Sequence, residues 1–133
     1  MPHSKNRISL PSMAPGTGRS ITWHRFGKAG ARPKAYLQAA IHANDLPGAM
    51  ALHHLMPMLV DADRRGSIKG EIVIVPSVNP IGLSQLVGNT HLGRYDLNGR
   101  ENFNRNWHEL SGAVADRVKG KLGRNAGANV AMI

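Results

Sequence analysis

Cysteine is absent from this 133-residue chain, so disulfides and thiolate metal ligands are both excluded. Any metal ion must be held by histidine and carboxylate. Aromatic residues make up only 5% of the chain, so its core has few large anchors, although a hydrophobic fraction of 41% still allows one. Acidic residues are missing from the first 44 positions, where Lys5, Arg7, Arg19, Arg25, Lys28, Arg32 and Lys34 all occur before Asp45. No apolar run approaches the length of a membrane span, and Met1 to Thr17 has no apolar stretch long enough for a secretory signal. The expectation is a soluble cytoplasmic protein of one domain, with no membrane partner.

What is present is a net charge of +9. Such a balance favours anionic partners: nucleic acid, a membrane surface or a carboxylate substrate. The basic residues are not interleaved with stacking aromatics, and no helix-turn-helix, zinc-finger or RNA-binding signature occurs, which argues against nucleic acid. The bland alternative is a basic face on a soluble domain.

Pro11, Pro15, Gly16 and Gly18 predict a loop or disordered opening, so residues 1–19 read as a flexible basic arm and residues 20–133 as the folded portion. Ser20 to Phe26 alternates apolar and polar residues, as a half-exposed strand does. Lys34 to Ile41 is mostly apolar and reads as a strand buried on both faces. Asn44 or Asp45 can cap a following helix, and Pro47 suits its first turn. Met50, Leu52, Leu55, Met56, Leu59 and Val60 then recur at helical spacing, predicting a helix from about Leu46 to Ala62 that ends near Arg64, Arg65 and Gly66. Gly70 to Pro76 is the clearest strand and reads as a central parallel one. Strand, helix and strand in this order form a right-handed crossover, whose ligands gather at the carboxyl ends of the strands. Ile81 to Asn106 reads as a long functional loop. Ser111 to Leu122 carries a weak helical pattern, and Val130 to Ile133 could begin another strand. The fold class is α/β, with a mainly parallel or mixed sheet and flanking helices.

Two segments carry chemistry. The first is His42-Ala-Asn-Asp45-Leu-Pro-Gly48, directly after the apolar strand. A histidine at a strand end with a carboxylate three residues on puts a nitrogen and an oxygen ligand on one rim, as a hydrolytic zinc site requires. The same pair also reads as an N-cap beside an ordinary loop histidine. Catalytic zinc usually takes three protein ligands plus a water. His53 and His54 lie on the predicted helix, and the spacing of His91 and His108 implies nothing specific. The second segment is Arg94-Tyr-Asp…Glu101-Asn-Phe-Asn-Arg-Asn-Trp107. Asn104 and Arg105 together suit bidentate capture of a carboxylate, and Arg94 could stabilise the oxyanion of a tetrahedral intermediate. Each arginine also reads as a solvated charge on a basic surface.

In this order, with Val75-Pro-Ser-Val-Asn-Pro-Ile-Gly82 between them, these motifs resemble the succinylglutamate desuccinylase/aspartoacylase family of the zinc carboxypeptidase-like fold, from about Ala35 to Trp107. The resemblance implies one zinc ion held by His42 and Asp45, where the family's second ligand is more commonly Glu. It implies that Arg94 polarises the scissile carbonyl and that Asn104 and Arg105 bind the substrate carboxylate. The implied activity is zinc-dependent hydrolysis of the amide or ester bond of a small carboxylate-bearing N-acyl amino acid or similar compound. The family's third zinc ligand is a histidine on a later strand, and its general-base glutamate lies later still. Neither has a match here, so the chain is expected to be the N-terminal portion of such a domain and poorly active by itself. An incomplete sheet exposes strand edges and apolar helix faces, which predicts self-association. The alternatives are a non-catalytic module that binds carboxylates or other anions and, less favoured, a basic nucleic-acid-binding domain.

Overall fold

The Ile and Val run of Glu71–Val75 forms the inner strand around which the rest is arranged in a computed structural model, which describes residues 3–12 and 14–130. Four strands form the main sheet: β1 (Ser4–Leu10), β2 (Arg19–Gly27), β3 (Lys34–Gln38) and β4 (Glu71–Val75), in the order β1-β2-β4-β3. β2 runs antiparallel to both β1 and β4, with His24 opposite Ile74, whereas β3 runs parallel to β4, with Leu37 opposite Ile74. The fold is α/β as expected, and of the two expected sheet types, mainly parallel or mixed, it has the mixed one, with one parallel pairing.

Helix α1 (Pro47–Arg64) connects β3 to β4 and covers one face of the sheet. Phe26 and Ile74 are fully buried there, and Leu52 of α1 packs on them with Leu55, Met56 and Leu59 around the edge. These are the helical-spacing positions of the sequence, although Met50 and Val60 of that set are exposed. Gly66, with φ +66°, ends the helix region in a left-handed turn after Arg64 and Arg65. Residues of β4 alternate between faces, so Val73 and Val75 point away from α1 and join Ile21, Trp23 and Tyr36 on the other side. That face is apolar and Tyr36 on it is exposed.

Two expectations are corrected. The opening segment is not a flexible arm throughout: Ser4–Leu10 is a strand paired with β2 along its whole length, from Ser4–Arg25 to Leu10–Arg19. Its prolines and glycines fall after Leu10, in the connection to β2, and do not interrupt pairing. Nor is the strand at Lys34 buried on both faces. It ends at Gln38 and pairs only with β4 among the described residues, so four of its five residues are exposed.

The long segment after β4 is ordered by short elements: α2 (Pro80–Leu83), β5 (Leu86–Val87) paired with β6 (Thr90–His91), and a bridge between Tyr95 and Asn102. Helices α3 (Ser111–Val118) and α4 (Ala126–Val130) follow. Val130 therefore lies in a helix, and residues 131–133 of the expected last strand lie outside the described residues. Among the described residues no helix is long and apolar enough to cross a membrane.

Candidate metal and substrate site

The site lies where β3 and β4 end. After β3 the chain bonds to β4's extension, Ala39 N–H donating to Val75 O and Val78 N–H to Ala39 O. Ala40 then adopts φ 57°, a left-handed turn that points the next residues onto the rim. Asn79, buried beside α2, donates from Nδ2 to Ile41 O at 2.8 Å and accepts from Gly82 N–H at 2.8 Å. Ala43 N–H donates to Gly93 O at 2.9 Å. The approach is so close that a Cβ on Gly82 would stand 2.6 Å from Asn79 Nδ2 and 3.1 Å from the Ala43 Cβ. Asn79 and two glycines thus fix the backbone that carries His42.

Asp45 does not cap α1. The N-cap is Leu46, which makes no side-chain cap, and Pro47 follows it. The Asp45 carboxylate turns instead to His42, with Oδ2 3.3 Å from Nδ1. Arg94 closes a triangle: Nη1 lies 3.0 Å from His42 Nδ1, and Nη2 donates to Asp45 Oδ2 at 3.0 Å. The other imidazole nitrogen, Nε2, is 2.7 Å from Asn102 Oδ1. These contacts fix the tautomer. A guanidinium only donates, so Nδ1 is the acceptor, and the proton sits on Nε2 and points at the amide oxygen.

Arg94 and Asn102 are brought together by a narrow hairpin. Phe103 N–H donates to Arg94 O, and Asp96 N–H to Glu101 O. Gln85, buried beneath it, donates from Nε2 to Leu92 O and Tyr95 O and accepts from Leu97 N–H through Oε1. Asn102 also receives Asn104 N–H at 2.9 Å. The side chain of Asn104 accepts from Trp107 Nε1, and Arg105 Nη1 donates to the Asn104 carbonyl. Arg105 and Asn102 line a cavity of about 780 Å³ together with Arg19, Asp96 and Glu101. His42, Asp45 and Arg94 therefore form one cluster, Arg105 stands on the neighbouring cavity, and Asn102 belongs to both.

The donor set fits part of a metal centre. In a tetrahedron with bonds of about 2.0–2.1 Å, ligand atoms stand about 3.3 Å apart, which is the separation of His42 Nδ1 and Asp45 Oδ2. The lone pair of His42 is on Nδ1, the nitrogen that faces Asp45 and accepts from Arg94, and its other nitrogen has the hydrogen-bond partner that histidine ligands characteristically have. Among the described residues no third histidine or carboxylate joins the pair. His91 bonds to Leu83 O, His53 and His54 lie on α1, and His108 is exposed.

Sequence reasoning missed Asn102 and Gln85. Asn102 sits two residues before Asn104 in the same motif, yet its contact with His42 spans sixty positions and has no local signal. Gln85 likewise betrays itself only by burial.

Residues 31–129 match the succinylglutamate desuccinylase/aspartoacylase catalytic domain family. Among solved structures, the chain is similar to a protein of succinylglutamate desuccinylase/aspartoacylase type from Shewanella frigidimarina NCIMB 400, with 23% identity and a TM-score of 0.74 over 97% of this chain and 34% of that one. A succinylglutamate desuccinylase/aspartoacylase family protein from Shewanella amazonensis SB2B shares 25% identity, with a TM-score of 0.68 over 97% of this chain and 42% of its own. An aspartoacylase family protein from Mesorhizobium loti MAFF303099 shares 25% identity, with a TM-score of 0.52 over 91% of this chain and 37% of its own. The chain thus spans between a third and under half of the length of these structures. No curated protein matches it.

Proposed function

This chain belongs to the succinylglutamate desuccinylase/aspartoacylase catalytic domain family, and we propose on that premise that it forms the zinc-holding and carboxylate-binding part of a hydrolase for small N-acylated amino acids or similar amides and esters. His42 Nδ1 and Asp45 Oδ2 would hold the one zinc ion. Bound zinc supplies a Lewis acid that polarises a carbonyl and acidifies a water toward neutral pH.

The remaining steps fall to side chains. Arg94 would donate to the carbonyl oxygen and hold the negative charge that develops there. Arg105, with Asn104 beside it, would grip the substrate carboxylate from the neighbouring cavity, as the planar fork of a guanidinium suits. Asn102 would keep the His42 proton on Nε2 and so keep Nδ1 free. A third ligand and a general base are required as well, and no described residue supplies the ligand. The chain by itself is therefore expected to be a poor catalyst, since loss of a general base alone lowers rate on the order of 10²–10⁴-fold.

The observation that carries this reading is the convergence of His42 Nδ1 and Asp45 Oδ2 with the Nε2 proton turned away to Asn102. Elemental analysis of the purified protein tests it, and zinc content unchanged by His42→Ala would end the ligand assignment. A second reading, a non-catalytic carboxylate-binding module, draws on Arg105 at the large cavity. It predicts saturable carboxylate binding that a chelator does not affect.

A further inference from the structure

The position of Arg94 calls for a second role. Its guanidinium does not merely lie near the pair proposed to hold zinc; it hydrogen-bonds to the same two atoms, His42 Nδ1 and Asp45 Oδ2, each at 3.0 Å. The imidazole Nδ1 has a single lone pair, which the guanidinium already takes, so a metal ion cannot bind there while Arg94 does, and the two cations also repel across the shared Asp45 oxygen.

We propose that Arg94 is a competing cation at the metal donors, so that metal entry must displace its side chain from His42 and Asp45. This inference rests on the zinc reading above and adds to it a fixed order of events. Arg94 first holds the His42 imidazole and the Asp45 carboxylate facing each other, which keeps two like-oriented acceptors 3.3 Å apart without mutual repulsion. The incoming ion takes over that duty. The freed guanidinium then swings outward, still tethered by the hairpin in which Phe103 N–H bonds to the Arg94 carbonyl, and becomes available to a substrate carbonyl. While Arg94 serves the donors, one N–H of each Nη is committed to them, and their release makes both available to substrate.

The geometry allows such movement. The Arg94 side chain is 40% exposed and that of Asp45 52%, so the contact is partly solvated and reversible rather than locked in the core. Exposed ion pairs of this kind contribute little, typically up to about 1 kcal/mol. Displacing it should therefore weaken metal binding modestly, by up to about fivefold, and should not abolish it.

The test is zinc affinity of the full 133-residue chain, measured by competition with a chromogenic chelator, for the wild type, His42→Ala, Arg94→Met and Arg94→Lys. Methionine keeps a long stem without charge, and lysine keeps the charge without the two-pronged reach. The expected result is that His42→Ala loses zinc binding while both Arg94 variants bind zinc more tightly than the wild type, methionine by up to about fivefold. If His42→Ala loses binding but Arg94→Met binds no more tightly than the wild type, the displacement proposal is overturned and the ligand assignment stands. If methionine tightens binding while lysine matches the wild type, the effect is general charge repulsion, and displacement is again overturned. If zinc binding is absent from the wild type or survives His42→Ala, the zinc reading and the proposal built on it fall together.

Discussion

Asn102 accepts the Nε2 proton of His42 at 2.7 Å, a contact between residues sixty positions apart. It joins the strand-end segment to the hairpin and decides which nitrogen of the imidazole is free. The partner is an amide, so it orients the ring without adding a negative charge beside it.

Under the proposed zinc reading, removing that partner should weaken metal binding. Asn102→Ala is expected to weaken zinc binding about 10–100-fold, the usual effect of losing the group behind a histidine ligand. Asn102→Asp keeps an acceptor and makes the ring more basic, so it should retain affinity or raise it. Chelator competition on the two variants decides the matter, and equal affinities for alanine and asparagine would show that Asn102 does not position His42.

The close approach at Gly82 gives a stability prediction. A methyl group there would meet Asn79 Nδ2 at 2.6 Å and the Gly93 carbonyl oxygen at 3.0 Å, neither of which can move without breaking the bonds that hold Ile41 and Ala43. Gly82→Ala should destabilise the fold by about 1–3 kcal/mol, as overpacking does. Gly112, with nothing near its Cβ position in α3, is the control; Gly112→Ala should leave stability unchanged or raise it by up to about 1 kcal/mol. Thermal melts of the two variants should move apart, and a shared melting temperature would refute the packing argument.

Acid should weaken the fold through two groups with distinct windows. The Glu71 carboxyl is held below its ordinary value chiefly by the Lys34 ammonium, with Gly30 N–H and Arg25 assisting. A folded-state value below the unfolded one means that this stabilisation is present above glutamate's ordinary value and is lost as pH falls through the depressed one. His24 is also lowered, by burial first and then by His3 and Lys5. It resists protonation when folded, so stability begins to fall as pH drops below the ordinary histidine value of 6.5. Denaturant melts against pH should show both declines. Glu71→Gln should flatten only the more acidic one, and a variant whose acid limb matches the wild type would remove Glu71 from this account.

Self-association is expected through the sheet face opposite α1, where Ile21, Trp23, Tyr36 and Val73 form an apolar surface beside the edge of β3, which no described strand pairs. Light scattering across a concentration series should show growth in mass, and Tyr36→Lys should reduce it. A monomer at every concentration would count against an accessible face.

Local patterning revealed the elements whose partners lie close in sequence or whose burial is uniform. The periodicity of α1 and the Ile-Val run of β4 both follow from the face they bury. β1 was illegible because its sequence is polar and its strand state comes wholly from pairing with β2. β3 reads as buried on both faces because its residues are mostly apolar, yet the sheet order puts it at an edge. At the site, the strand-end rule brought His42 to the rim, and the motif order brought Arg94 to it. Whether Asp45 capped the helix or faced the histidine was undecidable from sequence, since both uses need the same residue at the same place. The structure decides it through Leu46, which takes the cap position and leaves the carboxylate to His42 and Arg94.

The buried amide of Gln85 has a consequence for how this site can diversify. Its three hydrogen bonds anchor Leu92, Tyr95 and Leu97, and the Tyr95–Asn102 bridge with the Asp96–Glu101 bond closes the hairpin just beyond Arg94. Asn98, Gly99 and Arg100 lie outside that closure, and the first two border the large cavity. Residues at this tip can change in number and kind while Arg94 and Asn102 stay opposed across the base of the hairpin. In the proposed role, Arg94 and Asn102 would thus form a fixed grip at the base of the hairpin, and its tip a replaceable wall of the cavity.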